Sequence, residues 1–459
     1  MIRDQYLYHN LREYHTFRYK SRNYLLNVED MKAYRVGDSL FNELSILKEQ
    51  GFLETTNKKI KISLEELELT KICAPHNHTE ITYPTDKKIL PITRISLNVS
   101  QICNMKCIYC YGRDGEYGEK GLMYRSTAFK AVDFLFKYSD DKSNVSINFF
   151  GGEPLLNFPL IKEVVKYSKC LSVKKEKKIH FSISTNGTLF SKNVIEFFNK
   201  EKFSVQVSFD GDKEIQDINR PLKKGQSSYD YILPGLKKFL ESRNGDAAAR
   251  VTLTKFDSLG EKVREKLKKI GFKRINITPV TSIITDDFAL KESNYHSLFN
   301  DLDSICDELI ERVKCKKNVN DKILFNLLTT LITRKKTFYS CGAGKGLLAI
   351  SASGKVFPCH RFVGNDEFIL GDVISIKEEK RAPFNYPQIY MSPICANCYA
   401  RYFCGGNCYH ENLETNGDIF IPRLTNCELI KKKIAASIYI YDNLENEERA
   451  YLKSLLKIN

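Results

Sequence analysis

Three cysteines stand in the run Cys103-Asn-Met-Lys-Cys107-Ile-Tyr-Cys110, a C-x3-C-x2-C spacing. Three thiolates at that spacing can hold three irons of a cubic 4Fe-4S cluster and leave the fourth iron without a protein ligand, whereas ordinary clusters take four cysteines. An open iron can chelate a small molecule through an amine and a carboxylate. The plainer readings are three sulfurs of an ordinary ferredoxin site or a zinc site. Zinc prefers paired C-x2-C ligands and four protein donors, which this run lacks.

A second group of cysteines follows toward the C-terminus: Cys341, then Gly354 and Cys359, then Cys395-x2-Cys398-x5-Cys404-x3-Cys408, then Cys427. The alternative to clusters here is a zinc ribbon, since C-x2-C is a zinc spacing. Seven cysteines with a Gly-x4-Cys element favour clusters over a ribbon. His360 and His410 lie close enough in sequence to be substitute ligands. The chain has 14 cysteines in 459 residues, and a reducing compartment calls for a metal explanation before a disulfide one. Cys73, Cys170, Cys306 and Cys315 fall outside the patterns and read as core or surface thiols. The cluster Cys73-x2-His76-x-His78 lacks a fourth donor and reads as polar linker.

These residues need a scaffold. Between 91 and 313 short apolar runs alternate with longer amphipathic ones. Strands are predicted at 93–99, 145–150, 179–184, 204–208, 250–254 and 275–278. Helices are predicted at 126–138, 158–168, 192–200, 229–242, 259–270 and 293–313. Strands alternating with helices imply parallel pairing, and six such units make a partial α/β barrel. Barrel chemistry sits at strand C-termini, where the first three cysteines fall. Strand two runs into Gly151-Gly152-Glu153-Pro154. The glycines permit close backbone approach to a ligand, and Glu153 or a carbonyl can accept from an ammonium. Strand three ends in Ser184-Thr-Asn186-Gly187, and strand four in Ser208-Phe-Asp210-Gly211.

The front of the chain is not needed by such a barrel. Strands are expected at 14–19, 24–28 and 32–36, with a turn at 21–23. A helix is expected at 38–50, with Asp38 as N-cap and Gly51 as stop. A second short helix at 64–69 and a Pro-, His- and Thr-rich hinge at 74–88 follow.

Composition narrows the classes. The formal charge is +15, spread over Lys-rich faces that read as solvated. No nucleic-acid motif accompanies it, and no nucleic-acid partner is expected. Hydrophobic content is 42%, without an apolar run long enough for a membrane helix and without a signal core. A cytoplasmic protein with no membrane partner is expected.

The three N-terminal-most patterned cysteines, followed in order by Gly-Gly-Glu-Pro and the later strand ends, resemble the signature of the radical SAM enzymes. The seven later cysteines resemble the SPASM extension. The front segment resembles a winged-helix-like leader-recognition element. Together they resemble maturases that form thioether crosslinks in ribosomally made peptides (sactipeptide and ranthipeptide types). The resemblance implies a partial (β/α)6 radical SAM barrel with an N-terminal leader-binding domain and a C-terminal iron–sulfur domain. The expected division is 1–88 leader recognition and linker, 89–315 barrel, 316–340 bridging helical segment, 341–430 SPASM, and 431–459 C-terminal helix.

Carried onto this sequence, the resemblance implies three 4Fe-4S clusters and S-adenosyl-L-methionine (SAM). Cys103, Cys107 and Cys110 would hold the SAM cluster. Cys341, Cys359 and Cys408 would hold auxiliary cluster I, with one iron open to a substrate thiolate because residues 342–348 carry no further cysteine. Cys395, Cys398, Cys404 and Cys427 would complete auxiliary cluster II. Gly151, Gly152, Glu153 and Pro154 would meet the SAM amino group. Ser184, Asn186, Ser208 and Asp210 would line its ribose and methionyl pocket. Tyr109 would lie beside the adenine, and Arg220 would pair with the carboxylate, a task suited to a guanidinium fork. The implied reaction is reductive SAM cleavage, hydrogen abstraction from a precursor peptide whose leader sits on the N-terminal domain, and closure of a carbon–sulfur bond. A flavodoxin or ferredoxin would supply electrons. The alternatives are formylglycine formation on a sulfatase and carbon–carbon crosslinking.

Overall fold

The structure, a computed structural model, describes residues 6–8, 13–50, 53–55, 90–113, 115–243, 246–256, 260–281, 286–317, 319 and 324–458. The expected helix at 64–69, the Cys73 cluster and the hinge lie outside these residues.

Six parallel strands form the barrel wall: Arg94–Gln101, Asn144–Gly151, Lys178–Thr185, Ser204–Ser208, Ala248–Leu253 and Arg274–Pro279. They neighbour one another in chain order, with registers such as Arg94↔Ser146, Ser182↔Ser204 and Gln206↔Ala248. Each is within a few residues of its expected place. Alternation decides which way each side chain points. Ile95, Leu97, Val99, Val145, Ile147, Phe149, Val205 and Val207 point outward and are buried under the helices. Ser96, Ser146, Asn148, Ser182, Gln206, Ser208 and Arg250 point inward and line a cavity. Closed eight-stranded barrels fill their interior with branched apolar layers; this lumen is polar and open.

The helices follow their sequence signals. Ser191 caps the helix Lys192–Lys200 by accepting from the amide of Val194 at 3.4 Å, and the buried face of that helix carries Val194 and Phe198. Truncating a fully buried ring such as Phe198 to Ala costs about 3–5 kcal/mol. The sequence reading missed a further strand, Leu347–Ile350, which pairs in parallel with the first barrel strand (Leu347↔Arg94) on the side away from strand two. Its four residues are too few for a periodic signal. This strand joins the C-terminal cysteine region directly to the barrel sheet.

The front of the chain forms an antiparallel sheet of Tyr14–Tyr19, Arg22–Asn27 and Lys32–Val36, then a helix Asp38–Gln50. The hairpin turns at Lys20 and Ser21, both at positive φ (44° and 60°), as tight hairpins require; the expected turn lay slightly later. Asp38 sits inside the first helical turn, and its carboxylate accepts from Nδ2 of Asn23 at 2.7 Å, so it ties the helix to the sheet. The sheet shares a core with later helices, with Tyr24, Leu26 and Met31 packing among Leu309, Leu328 and Ile434. Among the described residues the bridging segment carries one helix, Phe325–Thr333. The expected single C-terminal helix is two, Leu424–Asp442 and Asn446–Leu456, the second opened by a capping box between Glu445 and Glu448.

Candidate active site

Cys103, Cys107 and Cys110 lie in the loop leaving the first barrel strand and line one cavity of about 660 Å³. Gly151, Gly152, Ser184, Asn186, Ser208, Tyr109 and Arg220 line the same cavity. Parallel strands bring these together because each strand end opens on one rim. The two glycines are required by the cysteine loop itself. A Cβ on Gly151, at φ 129°, would meet the carbonyl oxygen of Ser100 at 2.0 Å, and one on Gly152 would meet that of Ile102 at 2.4 Å. The amides of Gly152 and Glu153 donate to those same carbonyls at 2.8 and 3.0 Å.

Three expected contacts stand behind the wall instead. Glu153 is fully buried. Its carboxylate accepts from the amide of Leu155 at 3.0 Å, the hydroxyl of Thr185 at 2.8 Å and the amide of Asn186 at 2.7 Å. Burial pushes its pKa up to about 7 against those three hydrogen bonds. Those donors occupy the carboxylate, so of the two acceptors the sequence offered an ammonium, a backbone carbonyl is the one left. Pro154 opens a short 3-10 turn, Pro154–Asn157, for which Glu153 is the cap. Asp210 is fully buried and accepts from Nε and Nη2 of Arg220 at 2.9 and 3.2 Å, from the amide of Thr252 at 3.0 Å and from the hydroxyl of Tyr109. The Arg220 fork is therefore held by Asp210. Only Nη1 faces the cysteines, 3.9 Å from Sγ of Cys107. Burial opposes the charge of Arg220, and the Asp210 carboxylate outweighs it.

The cysteines fit a cluster. Burial raises the Cys103 thiol to about 11 and the Cys107 thiol to about 12, so thiolates here need a metal to form. Donors aim at the sulfurs: Nδ2 of Asn186 is 3.8 Å from Cys103 Sγ. Such hydrogen bonds tune iron–sulfur sites. Among the described residues no three His, Cys, Asp or Glu close on a single ion.

The later cysteines form two sets. Cys395, Cys398, Cys404 and Cys427 line a second cavity of about 410 Å³, together with Glu13, Tyr14 and His15 of the front sheet. Burial raises Cys395 to about 12 and Cys427 to about 11, and Nδ2 of Asn407 donates toward Cys427 Sγ at 3.5 Å. Cys359 is buried beside Cys408 and Cys341; burial first, then the Cys408 charge, raises it to about 12. His360 lines the barrel cavity and packs with its ring tilted against Phe150, centroids 4.4 Å apart. His410 packs against Phe362 at 5.3 Å. Burial lowers both histidines to about 3 and keeps them neutral. Of the remaining thiols, Cys170 and Cys315 are exposed and Cys306 is buried.

The sequence reading missed several wall residues. Arg250 and Arg361 line the barrel cavity, as do Tyr111 and Tyr117. The period-2 pattern of strand five could have marked Arg250 as inward-facing. Arg361 carried no signal beyond its place after Cys359.

Residues 97–254 match the model of the Radical SAM superfamily. A stretch of 140 residues is 37% identical to an uncharacterized protein of Methanocaldococcus jannaschii, covering 30% of this chain and 46% of that one. The chain is 24% identical over 377 residues to a cysteine-type anaerobic sulfatase-maturating enzyme of Clostridium novyi, covering 75% of this chain and 96% of the relative. It is 26% identical over 356 residues to the antilisterial bacteriocin subtilosin biosynthesis protein AlbA of Bacillus subtilis, covering 74% and 72%. The fold is similar to that of native anSMEcpe solved with bound AdoMet and Cp18Cys peptide, with a TM-score of 0.63–0.66 across its solved forms; for that complex the identity is 20%, over 77% of this chain and 100% of that one. No helix among the described residues is long and apolar enough to cross a membrane. Residues 97–254 are thus a radical SAM domain, in a chain that resembles the SPASM-type maturases of ribosomally made peptides and of sulfatases.

Proposed function

We propose that this protein is a peptide maturase that cleaves SAM reductively and installs thioether crosslinks in a ribosomally made precursor. One observation carries the reading: one set of three cysteines lines the barrel lumen, and a second set adjoins Arg361, which lines it too. Cys103, Cys107 and Cys110 line its mouth, and Cys341, Cys359 and Cys408 lie behind the wall that His360 and Arg361 contribute. A peptide in the lumen would have one set on either side.

Cys103, Cys107 and Cys110 would hold the cluster that binds SAM, and when bound that pair supplies one-electron reductive cleavage of the sulfonium. The chain's own residues do the placing. Backbone carbonyls at Gly151, which also accepts from the Tyr117 hydroxyl at 3.2 Å, and Gly152 would accept the SAM ammonium, with Ser184 and Ser208 nearby on the polar wall. Nη1 of Arg220, already oriented by Asp210, contributes one donor toward the carboxylate. Tyr109, tied to Asp210, fixes the aromatic face for the adenine. Cys341, Cys359 and Cys408 would hold auxiliary cluster I with room for a substrate thiolate. Cys395, Cys398, Cys404 and Cys427 would hold auxiliary cluster II, an exit for the surplus electron, while a flavodoxin or ferredoxin would supply the electron for SAM cleavage. The front sheet would take the leader as an added edge strand, with Arg401, its side chain fully buried, paired to Glu13 at 2.5 Å and Glu29 at 2.8 Å to bind the sheet to the cluster region.

Formylglycine formation on a sulfatase is the second reading, favoured by the relative from Clostridium novyi that this chain covers almost end to end. The ninety-odd residues ahead of the barrel, with their own sheet and helix, weigh toward a leader-guided substrate. Anaerobic incubation with SAM and either a Cys-rich peptide encoded nearby or a sulfatase peptide separates the two by mass spectrometry. Loss of two hydrogens per crosslink in the first is expected; exchange of sulfur for oxygen together with loss of two hydrogens in the second would replace the thioether reading.

A further inference from the structure

We infer that the barrel lumen holds a carboxylate of the peptide substrate, an Asp or Glu side chain, against Arg250. This deepens the peptide-maturase reading and rests on it. Arg94, Arg220, Arg250, Arg361, His180 and His360 line the cavity, and among the described residues no Asp or Glu does. Three of the arginines are accounted for. Arg220 is held by Asp210. Arg361 donates to Oε1 of Glu411 and to Thr281, both at 3.0 Å, and lies 3.6 Å from Cys408 Sγ. Arg94 is exposed at the start of strand one, on Ser146 at 3.2 Å.

Arg250 differs. It lies partly buried in the middle of strand five, and its Nη1 donates to the hydroxyl of Thr278 at 2.7 Å. No carboxylate among the described residues pairs with it. The acid in its surroundings, Glu411, is already engaged, with Oε1 shared by Arg361 and Thr281 and Oε2 accepting from Asn426 at 2.6 Å. Burial and then the Arg361 charge push the Arg250 pKa down. A guanidinium does not shed its proton in a protein, so a buried one without a counter-charge is a receptor for an anion. Its planar fork suits a carboxylate.

The position favours the peptide over SAM as the source. The glycine pair follows strand two, while Arg250 stands on strand five, three strands around the sheet. The charged neighbours of Arg250 are Arg361 and Glu411, on the side of Cys359 and Cys408, and Arg220, whose fork Asp210 already holds. A substrate carbon between the two cysteine sets would pass this guanidinium.

The test uses reconstituted full-length protein, anaerobic and saturated with SAM. Two peptides with blocked ends, Gly-Cys-Gly-Asp-Gly and Gly-Cys-Gly-Asn-Gly, are titrated by calorimetry. The Asp peptide should bind about ten-fold more tightly, the worth of one charge-assisted hydrogen bond, and the preference should shrink as salt rises. Arg250→Gln should abolish the preference, and Arg250→Lys should keep part of it. Equal binding, or no binding of either peptide, by the unaltered protein overturns the inference, and that comparison needs no variant to fold. A decarboxylated SAM analogue supplies the other arm. If Arg250→Gln weakens SAM but not the analogue, and the peptides are unaffected, Arg250 serves the cosubstrate and the inference fails. The electron paramagnetic resonance spectrum of the same samples separates the two readings, because a spectrum unmoved by SAM would defeat the proposed function rather than the subsite.

Discussion

Replacing Asp210 by Asn tests whether that carboxylate is framework for Arg220 and Tyr109 or a contact for the cosubstrate. The side chains of Asp210 and Arg220 are 0% and 8% exposed. An amide keeps one oxygen but turns an NH2 toward groups that are all donors: Nε and Nη2 of Arg220, the Thr252 amide and the Tyr109 hydroxyl. Arg220 is then a buried cation without its partner, a loss of about 3–5 kcal/mol. At about 2–4 °C per kcal/mol for a domain of this size, the melting temperature should fall by about 6–20 °C. Removing both charges, in Asp210→Asn with Arg220→Met, should recover at least half of the loss, since the stranded charge is gone. Anaerobic thermal melts of the native protein, both single variants and the double variant supply the comparison. A single variant melting within about 2 °C of the native protein, or a double variant as unstable as the two singles summed, would refute the framework role.

Glu153, with its pKa raised to about 7 by burial, favours its proton in the folded state. Its contribution to stability is therefore complete below the ordinary carboxylate range and is lost as pH rises through about 7, a swing on the order of 3 kcal/mol. Glu153→Gln should flatten that part of the urea-midpoint profile, and coincident slopes for the two proteins would exclude the burial argument. Reconstituted protein should carry about twelve irons per chain, and Cys395→Ala with Cys398→Ala about eight. An unchanged iron count would remove Cys395, Cys398, Cys404 and Cys427 as a cluster set.

Much of the scaffold was legible in the sequence because alternation and helix periodicity are local. The six barrel strands, the helices between them and the front sheet with its helix follow from such patterns. Local too were the cysteine spacings and the order in which Gly151-Gly152 follows Cys103, Cys107 and Cys110. What sequence could not supply was direction and pairing. Glu153 and Asp210 carry chemistry-bearing side chains at strand ends, yet both turn away from the lumen, because donors from the ends of neighbouring strands and from the turn after a helix claim them: Thr185 and Asn186 for one, Thr252 and Arg220 for the other. The parallel strand Leu347–Ile350 was likewise invisible, being set by its partner rather than by its four residues. So the residue types determined what could be bound. Only the pairing of the strands decided that Arg220 is engaged while Arg250 has no acidic partner among the described residues, and that the lumen carries arginines and no Asp or Glu among them, since charge balance across a cavity depends on which strands face one another.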